Sequence, residues 1–422
     1  MHERPVIQVD ERLPFLQSIP LSLQHLFAMF GSTVLVPMLL QINPAICLLM
    51  NGIGTLIYIF LCKGRIPAYL GSSFAFISPV LIVISTRSYE AALSGFLVVG
   101  LVFCLIGLLV KAVGTGWIEI VFPPAAMGAI VAVIGLELAP TAANMAGFVA
   151  SAGTEGWSPD PKVIAVSLVT LLTAVVGNVM FRGFMKIIPI LISIIVGYAL
   201  AAFLGIVDFS IVREAKWFDL PTFYTMKWDW SSIAIIVPAA LVVVAEHIGH
   251  LIVTSNIVGK DLSKDPGLDR SLLGNGVSTV ISSFVGSTPN TTYGENIGVL
   301  ALTRVYSIWI IGGAAVMAIV LSFVGKLAAL IQTIPVPVMG GVSILLFGVI
   351  AGSGVRMLVE AKVDYSNPKN LILTAVVLIV GISGAAFKWG NFEMKGMALA
   401  TVIAILLGLF FNIIDKLKWS NE

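Results

Sequence analysis

Long apolar runs dominate this sequence and constrain its fold more than any other feature. A helix that spans the hydrocarbon layer of a bilayer needs about 20 mostly apolar residues. Only 11% of the residues are charged and the mean hydropathy is +1.03, whereas soluble domains carry about 25% charged residues. The sequence therefore predicts an all-α, polytopic integral membrane protein. Twelve spans are predicted near 18–38, 45–62, 91–112, 117–139, 162–181, 187–207, 232–255, 271–286, 306–330, 335–352, 369–386 and 396–415.

Two further segments, 73–86 and 293–303, are too short or too interrupted by Gly, Ser and Pro to be ordinary spanning helices. With the twelve spans they make fourteen predicted crossings. Non-helical backbone at membrane depth is tolerated only where protein or a water-filled cavity satisfies its polar groups. Broken half-helices of this kind build the substrate sites of many transporters, so we expect a binding site where these two segments meet.

The second half of the chain repeats the first. Asn-Gly-Ile-Gly-Thr-Leu at 51–56 reappears as Asn-Gly-Val-Ser-Thr-Val at 275–280, and Pro-Pro-Ala-Ala-Met-Gly at 123–128 reappears as Pro-Val-Pro-Val-Met-Gly at 335–340. Each half contains seven predicted crossings, so the second copy must enter the membrane from the opposite side. The prediction is an inverted repeat whose two broken segments correspond; chance matches of Gly and Pro are the alternative.

Charge placement predicts the orientation in the membrane. With the amino terminus inside, twice as many Lys and Arg residues fall in cytoplasmic loops as in outer ones, which the positive-inside rule requires, and both termini are then cytoplasmic. The first 18 residues are charged and lack an apolar core, so no signal peptide is expected. The net charge of +2 argues against a nucleic-acid partner, and the three cysteines lie inside apolar runs as buried hydrophobes.

Ionisable side chains lie inside the predicted span 232–255. Glu246 and His250 are four residues apart and share one helix face, whereas His247 is rotated by about 100° from that face. A charge at mid-bilayer costs about 2.5–3.5 kcal/mol on insertion scales, so such residues mark functional sites by default. The alternative is a structural hydrogen bond to a neighbouring helix. A zinc site is disfavoured because Glu-His-Ile-Gly-His matches neither H-E-x-x-H nor H-x-x-E-H.

Glu295 lies at the start of the second broken segment, and Phe74 lies at the corresponding break in the first. The unpaired N–H groups at a half-helix start can donate to ligand carbonyls, while the carboxylates of Glu295 and Glu246 can accept from ligand N–H groups. Together they describe a slot for a small planar molecule, and a pyrimidine base such as uracil fits it. Because His exchanges protons near neutral pH, Glu246, His250 and Glu295 could take up protons with the substrate, and we expect proton symport.

The stretch Glu-Asn-Ile-Gly-Val-Leu-Ala-Leu-Thr-Arg at 295–304 resembles the signature of the nucleobase–ascorbate transporter (nucleobase:cation symporter-2) family, and Gln24-His25 resembles the Gln-His motif in that family's first span. The resemblance extends over essentially the whole chain and is nearest to the bacterial uracil carriers. Members whose signature opens with Glu tend to carry uracil, whereas Gln there goes with xanthine or urate. For His25, a helix–helix hydrogen bond and a supporting role at the site stay equally open.

This resemblance implies a fourteen-segment fold with two domains and short antiparallel strands in segments 3 and 10. The core domain would comprise residues 1–115 (segments 1–4) and 231–332 (segments 8–11). The gate domain, through which members often dimerise, would comprise residues 116–230 (segments 5–7) and 333–422 (segments 12–14).

The resemblance also assigns residues. Glu246 and Glu295 would bind the pyrimidine N–H groups, the amides of Phe74 and Gly294 its carbonyls, and His250 would take part in proton coupling. Further residues would lie near the substrate or support the relay: Ser32, Tyr293, His25, Asn296 and Phe347. Similar permeases can carry Tyr at position 347, so a relay here would use His250 or water instead.

The sequence thus predicts a non-enzymatic, proton-coupled uracil importer of a cytoplasmic membrane, with no cofactor or metal and with protons as the coupling ion. A xanthine or urate carrier on the same scaffold is the nearest alternative. A channel would not need carboxylates at the break, and an anion exchanger of similar fold would place a basic residue where Glu295 stands.

Overall fold

The computed structural model describes residues 6–150, 156–390 and 392–418. The first half contains helices α1 Phe15–Ala28, α2 Phe30–Leu39, α3 Pro44–Leu61, α4 Ile77–Thr86, α5 Tyr89–Val113, α6 Ile118–Val121, α7 Pro124–Glu137, α8 Ala139–Met145, α9 Pro161–Met180, α10 Pro189–Phe203 and α11 Ser210–Glu214. The second half contains α12 Trp230–Ile236, α13 Ala239–Val258, α14 Leu268–Val285, α15 Gly294–Thr303, α16 Ile308–Ser322, α17 Gly325–Gln332, α18 Val336–Glu360, α19 Pro368–Ile382 and α20 Gly396–Leu417. The strands are β1 Leu70–Ser72, β2 Asn290–Thr292, β3 Ala386–Trp389 and β4 Phe392–Lys395.

The helices have the length and composition of membrane spans. Within the described residues, 8 helices or helix pairs are long and apolar enough to cross a bilayer, and four shorter apolar helices of 10–17 residues accompany them. The all-α membrane fold is confirmed. The count of fourteen crossings stays a prediction, because α14 and α15 belong to neither of these two sets.

The predicted spans 117–139 and 306–330 are wrong in their extent, since each is divided between two helices. The apolar run at 306–330 is not one helix: α16 ends at Ser322, and α17 begins only at Gly325. A loop from the first half of the chain causes the break, because the N–H of Asp219 donates to the carbonyl of Phe323 and the N–H of Gly325 donates to the carbonyl of Trp217, both at 3.0 Å. Local apolarity cannot reveal this pairing, which joins residues about a hundred positions apart.

The two broken segments meet through short strands, as predicted. β1 and β2 pair antiparallel with Gly71 opposite Thr291, and two backbone bonds of 3.0 Å extend the ladder, from the N–H of Ser73 to Pro289 and from the N–H of Tyr293 to Tyr69. A short 3₁₀ turn, Phe74–Phe76, leads from β1 into α4, and β2 leads into α15. Each strand therefore leads into a half-helix, and the pairing of the strands places the starts of the two half-helices side by side.

The inverted repeat is visible in how these strands are anchored. Thr55 on α3 and Thr279 on α14 are the matching threonines of the repeated motif. The hydroxyl of Thr55 accepts from the N–H of Leu70 at 2.9 Å, and that of Thr279 accepts from the N–H of Asn290 at 3.1 Å. Both threonines are fully buried. Corresponding threonines of the two halves thus accept hydrogen bonds from the backbone N–H groups of corresponding strands, which are buried away from water.

Small residues bring the helices of the repeats together. A Cβ on Gly100 of α5 would lie 2.8 Å from the backbone nitrogen of Val280, and one on Gly276 of α14 would lie 2.8 Å from that of Cys104. On the other repeated motif, a Cβ on Gly128 of α7 would lie 2.9 Å from the carbonyl of Gly354 on α18. Such close approach of backbones replaces the hydrophobic effect as the source of packing energy inside a bilayer.

Candidate functional site

A cavity of about 470 Å³ lies where the two half-helices meet. Its inner end is formed by the beginning of the 3₁₀ turn before α4, by β2 and the first turns of α15, and by the middle of α13. Six of the predicted site residues line it: Phe74, Glu246, His250, Tyr293, Gly294 and Glu295. The structure therefore brings together residues more than 200 positions apart, and their role in binding stays a prediction.

Glu246 and His250 face the cavity from α13, as their four-residue spacing predicts. The Oε2 atom of Glu246 is buried and has no hydrogen-bond partner among the described residues. Nδ1 of His250 shares a hydrogen bond of 3.0 Å with the hydroxyl of Thr292 on β2. An unsatisfied buried acceptor is costly unless something donates to it, so this oxygen of Glu246 is a candidate acceptor for a ligand N–H.

Glu295 lies in the first turn of α15. The hydroxyl of Ser32 on α2 donates to its Oε1 atom at 2.5 Å, which restrains the orientation of the carboxylate. Ser32 is thus brought to the site through Glu295. Neighbouring Gly294 is exposed in the cavity, and a Cβ there would lie only 3.4 Å from Nε2 of His250.

The half-helix starts supply the donors. Backbone N–H groups in the first turn of a helix have no intrahelical acceptor, and those of α15 begin at Gly294, which lines the cavity. Phe74 opens the 3₁₀ turn opposite and also lines the cavity. Both ends carry the partial positive charge of a helix amino terminus, so the cavity presents carboxylate acceptors and backbone donors together.

Tyr293 is buried and holds the two strands together. Its hydroxyl donates to the carbonyl of Ser72 at 3.2 Å, and its ring lies against Gly71, where a Cβ would overlap the ring. Gly71 is therefore required by this close approach. Tyr293 lines the cavity as well as bracing its wall.

His25 and Asn296 form a contact next to the site. The side-chain nitrogen of Asn296 donates to the carbonyl of His25 at 3.0 Å and lies 3.2 Å from its Nδ1 atom. Both residues are buried. The pair joins α1 to the first turn of α15. The geometry therefore agrees with the interpretation of His25 as a partner in a helix–helix hydrogen bond, and this bond supports α15.

Phe347 on α18 is buried and touches the site through an aromatic contact. Its ring lies edge-on to that of Phe74, with centroids 5.8 Å apart. His247 turns away from the cavity, as its rotation predicts: its Nε2 atom shares a hydrogen bond of 2.7 Å with Ser271, which is in turn 2.6 Å from the hydroxyl of Tyr58. The buried contact of His247 is therefore to neighbouring helices.

Sequence reasoning did not single out several residues around the cavity. Lys186, before α10, and Arg356, near the end of α18, line the cavity and are exposed, whereas Thr291 and Thr292 line it and are buried. Thr291 and Thr292 lie within the polar stretch before Glu295, so that stretch carried a signal. Lys186 and Arg356 carried none, because they belong to loops and helix ends that only the packing brings to the cavity.

Across the described ranges, no group of three or more His, Cys, Asp or Glu side chains has the proximity needed to hold a metal ion. Glu246 and His250 face the cavity while His247 bonds to Ser271, so the Glu-His-Ile-Gly-His sequence does not converge on one point.

A helical bundle with two inverted repeats, broken helices at its centre and a polar cavity between them defines a multi-pass membrane transport protein. The sequence pattern of the permease family matches residues 16–389, and this chain belongs to that family. The resemblance to nucleobase–ascorbate transporters is thereby confirmed.

Curated relatives cover nearly the whole chain. The uracil permease of Escherichia coli K12 is 63% identical over 415 residues, which is 98% of this chain and 96% of that protein. The uracil permease of Bacillus subtilis is 49% identical over 399 residues, 93% of this chain and 92% of that protein. A putative purine permease of Clostridium perfringens is 29% identical over 399 residues, 90% of this chain and 85% of that protein.

Solved structures share the fold at low identity. The transmembrane domain of the cyanobacterial bicarbonate transporter BicA matches with a TM-score of 0.63 and 14% identity over 97% of this chain and 99% of that domain. The murine anion transporter Slc26a9, in an inward-facing state, matches with a TM-score of 0.69 and 11% identity over 96% of this chain and 69% of that protein. These likenesses show the inverted-repeat fold alone.

Proposed function

We propose that this permease imports uracil by proton symport, with a core domain moving against a gate domain. The observation that carries the proposal is the pair of carboxylates, Glu246 and Glu295, on one cavity with two half-helix starts. Support also comes from the relatives named uracil permeases, at 63% and 49% identity over nearly the whole chain.

The chemistry of the cavity complements a pyrimidine base. Uracil is flat and neutral, and presents two N–H donors and two carbonyl acceptors. The free Oε2 atom of Glu246 and the second oxygen of Glu295 can accept the donors, while backbone N–H groups at Phe74 and Gly294 can donate to the carbonyls. A ligand that satisfies all four groups removes unpaired polar atoms from a buried site, which gives specificity against bases that satisfy fewer.

Proton coupling rests on the same residues. Glu246 and His250 are one helical turn apart, and His250 is tied through Thr292 to the strand that leads into Glu295. A proton taken up by this cluster would neutralise a carboxylate that otherwise crosses the membrane charged, which is costly in a bilayer. Coupling proton and uracil uptake therefore lowers the cost of moving the loaded site.

The direction in which the cavity opens suits an importer at the release stage. Its exposed end is lined by Lys186 and Arg356, which the positive-inside rule assigns to the cytoplasm. Both termini would then be cytoplasmic and the membrane would be the cytoplasmic one. Dimerisation through the gate domain remains part of this proposal, and the mass of the purified protein in detergent tests it.

Uptake of labelled uracil by proteoliposomes tests the function directly. We expect accumulation driven by an inward proton gradient, abolished by a protonophore, and blocked by excess unlabelled uracil more strongly than by thymine, cytosine or xanthine. Accumulation that ignores the protonophore and external pH would refute symport. Stronger block by xanthine would assign the purine-base alternative, which the putative purine permease among the relatives keeps in view.

A further inference from the structure

A second polar contact joins the two proposed domains away from the cavity. The hydroxyl of Ser78, on half-helix α4, donates to Oε1 of Glu137 at 2.7 Å. The Oε2 atom of Glu137 accepts from the backbone N–H of Met397 at 2.8 Å. Glu137 ends α7 and Met397 lies in the first turn of α20, both in the proposed gate domain, whereas Ser78 is in the proposed core domain.

The geometry of Glu137 is specific. Its carboxylate occupies the start of α20, where first-turn N–H groups lack partners, directly over Gly396, whose φ of +56° and missing Cβ leave the room. The carboxylate is thus fixed to the gate by one oxygen and reaches the core with the other. Charge-assisted hydrogen bonds of this kind are about twice as strong as neutral ones.

The contact lies outside the cavity, further along half-helix α4. Ser78 is four residues beyond Phe74 along the half-helix, and Phe74 itself packs against Phe347 of the gate. Of the described residues that line the cavity, neither Ser78 nor Glu137 is one. The half-helix α4 runs on to Arg87, which the charge pattern assigns to the outer face.

The inverted repeat provides an internal comparison. Gly298 lies four residues after Gly294, as Ser78 does after Phe74, and Val349 lies ten residues after Met339, as Glu137 does after Met127. Gly298 and Val349 both line the cavity. In the first half of the chain, the two positions are polar and joined by a hydrogen bond. In the second half, the equivalent positions are apolar and line the cavity.

We propose that Ser78 and Glu137 are positioning residues for transport: their hydrogen bond holds half-helix α4 against the gate and closes the outer side of the site. The apolar pair on the opposite side forms no such bond, so the resting protein favours the state open at the Lys186 end. This inference rests on the proposed movement of core against gate. It does not depend on which base is carried.

Accessibility of a cysteine in the cavity tests the proposal without any substrate. Val131 lines the cavity, and Val131→Cys can be labelled with a membrane-impermeant maleimide in right-side-out and in inside-out vesicles. The parent chain, with Cys47, Cys62 and Cys104, gives the background. Adding Ser78→Ala should raise the labelling rate from the outer face by about tenfold, the effect of losing one charge-assisted bond.

A matched control and a second variant complete the design. Ser85, on the same half-helix, donates only within its own helix, to the carbonyl of Ile82 at 2.9 Å, so Ser85→Ala should leave the outer labelling unchanged. Glu137→Gln keeps the shape but loses the charge, and should raise outer labelling as Ser78→Ala does. Labelling from the inner face shows that each variant is folded. Unchanged outer labelling in both Ser78→Ala and Glu137→Gln would overturn the inference, whereas failed uracil uptake would overturn only the proposed substrate.

Discussion

Replacing Glu246 by Gln should weaken uracil binding strongly while leaving the fold intact. Glu246 lines the cavity, and its Oε2 atom has no partner among the described residues, so the substitution breaks no hydrogen bond of that oxygen within the described structure. Gln has nearly the same volume, but it presents an NH₂ group and a neutral oxygen in place of two carboxylate oxygens. The free energy of unfolding should therefore change little, whereas the complex with uracil loses a hydrogen-bond acceptor.

The size of the effect follows from the kind of bond lost. A hydrogen bond to a charged group contributes about 1.5–3 kcal/mol, which corresponds to a factor of about 10–150 in the dissociation constant. Glu295→Gln should fall in the same range, although its contact with Ser32 can survive because the Gln oxygen still accepts. The two effects need not add, since both residues face one ligand.

Isothermal titration of uracil into purified protein measures this loss. Glu119→Gln is the matched control, because Glu119 is an exposed carboxylate on the short helix α6 and does not line the cavity in the described structure. Its affinity should equal that of the parent protein. If Glu246→Gln and Glu295→Gln, both normally inserted and monodisperse, bound uracil within twofold of the parent, the assignment of the site would be wrong.

Three further results are expected. Ser32→Ala frees the Glu295 carboxylate and should weaken uracil binding by about 1 kcal/mol, or about fivefold; unchanged affinity would show that the contact does not orient the carboxylate. Thr279→Val leaves a buried strand N–H without its acceptor and should lower the free energy of unfolding by about 1–3 kcal/mol. The measurement is the melting temperature in detergent, and a melting temperature equal to that of the parent would contradict the prediction. The Ser232 hydroxyl and backbone bonds at the start of α12 lower the pKa of Asp229. Its stabilisation is therefore complete above the unfolded pKa of about 4 and lost as pH falls below it. The melting-temperature gap between parent and Asp229→Asn should therefore stay constant from pH 7 to about pH 5 and shrink as the pH is lowered below about 4; a gap that widened there would refute this sign.

Much of the site could be predicted because its signals are local. A carboxylate inside an apolar run, Glu246, has to face protein or water, and a four-residue spacing places His250 on the same face. The break before Glu295 is equally visible, since polar, Pro-containing sequence interrupts an apolar pattern. The end of α16 could not be predicted, because the groups that interrupt the helix come from the loop around Asp219.

The sequence by itself determined that the chain is a membrane-embedded helical protein with two matching halves, two broken crossings and acidic side chains at their centre. These properties depend on apolar length, composition and short-range spacing, which any stretch of chain carries with it. Only the tertiary structure decided that Ser32 contacts Glu295, that Thr292 contacts His250, that Lys186 lines the cavity, and that Ser78 bonds to Glu137. The physical reason is that these contacts join residues distant along the chain, and helix packing alone sets which of them come within hydrogen-bond distance.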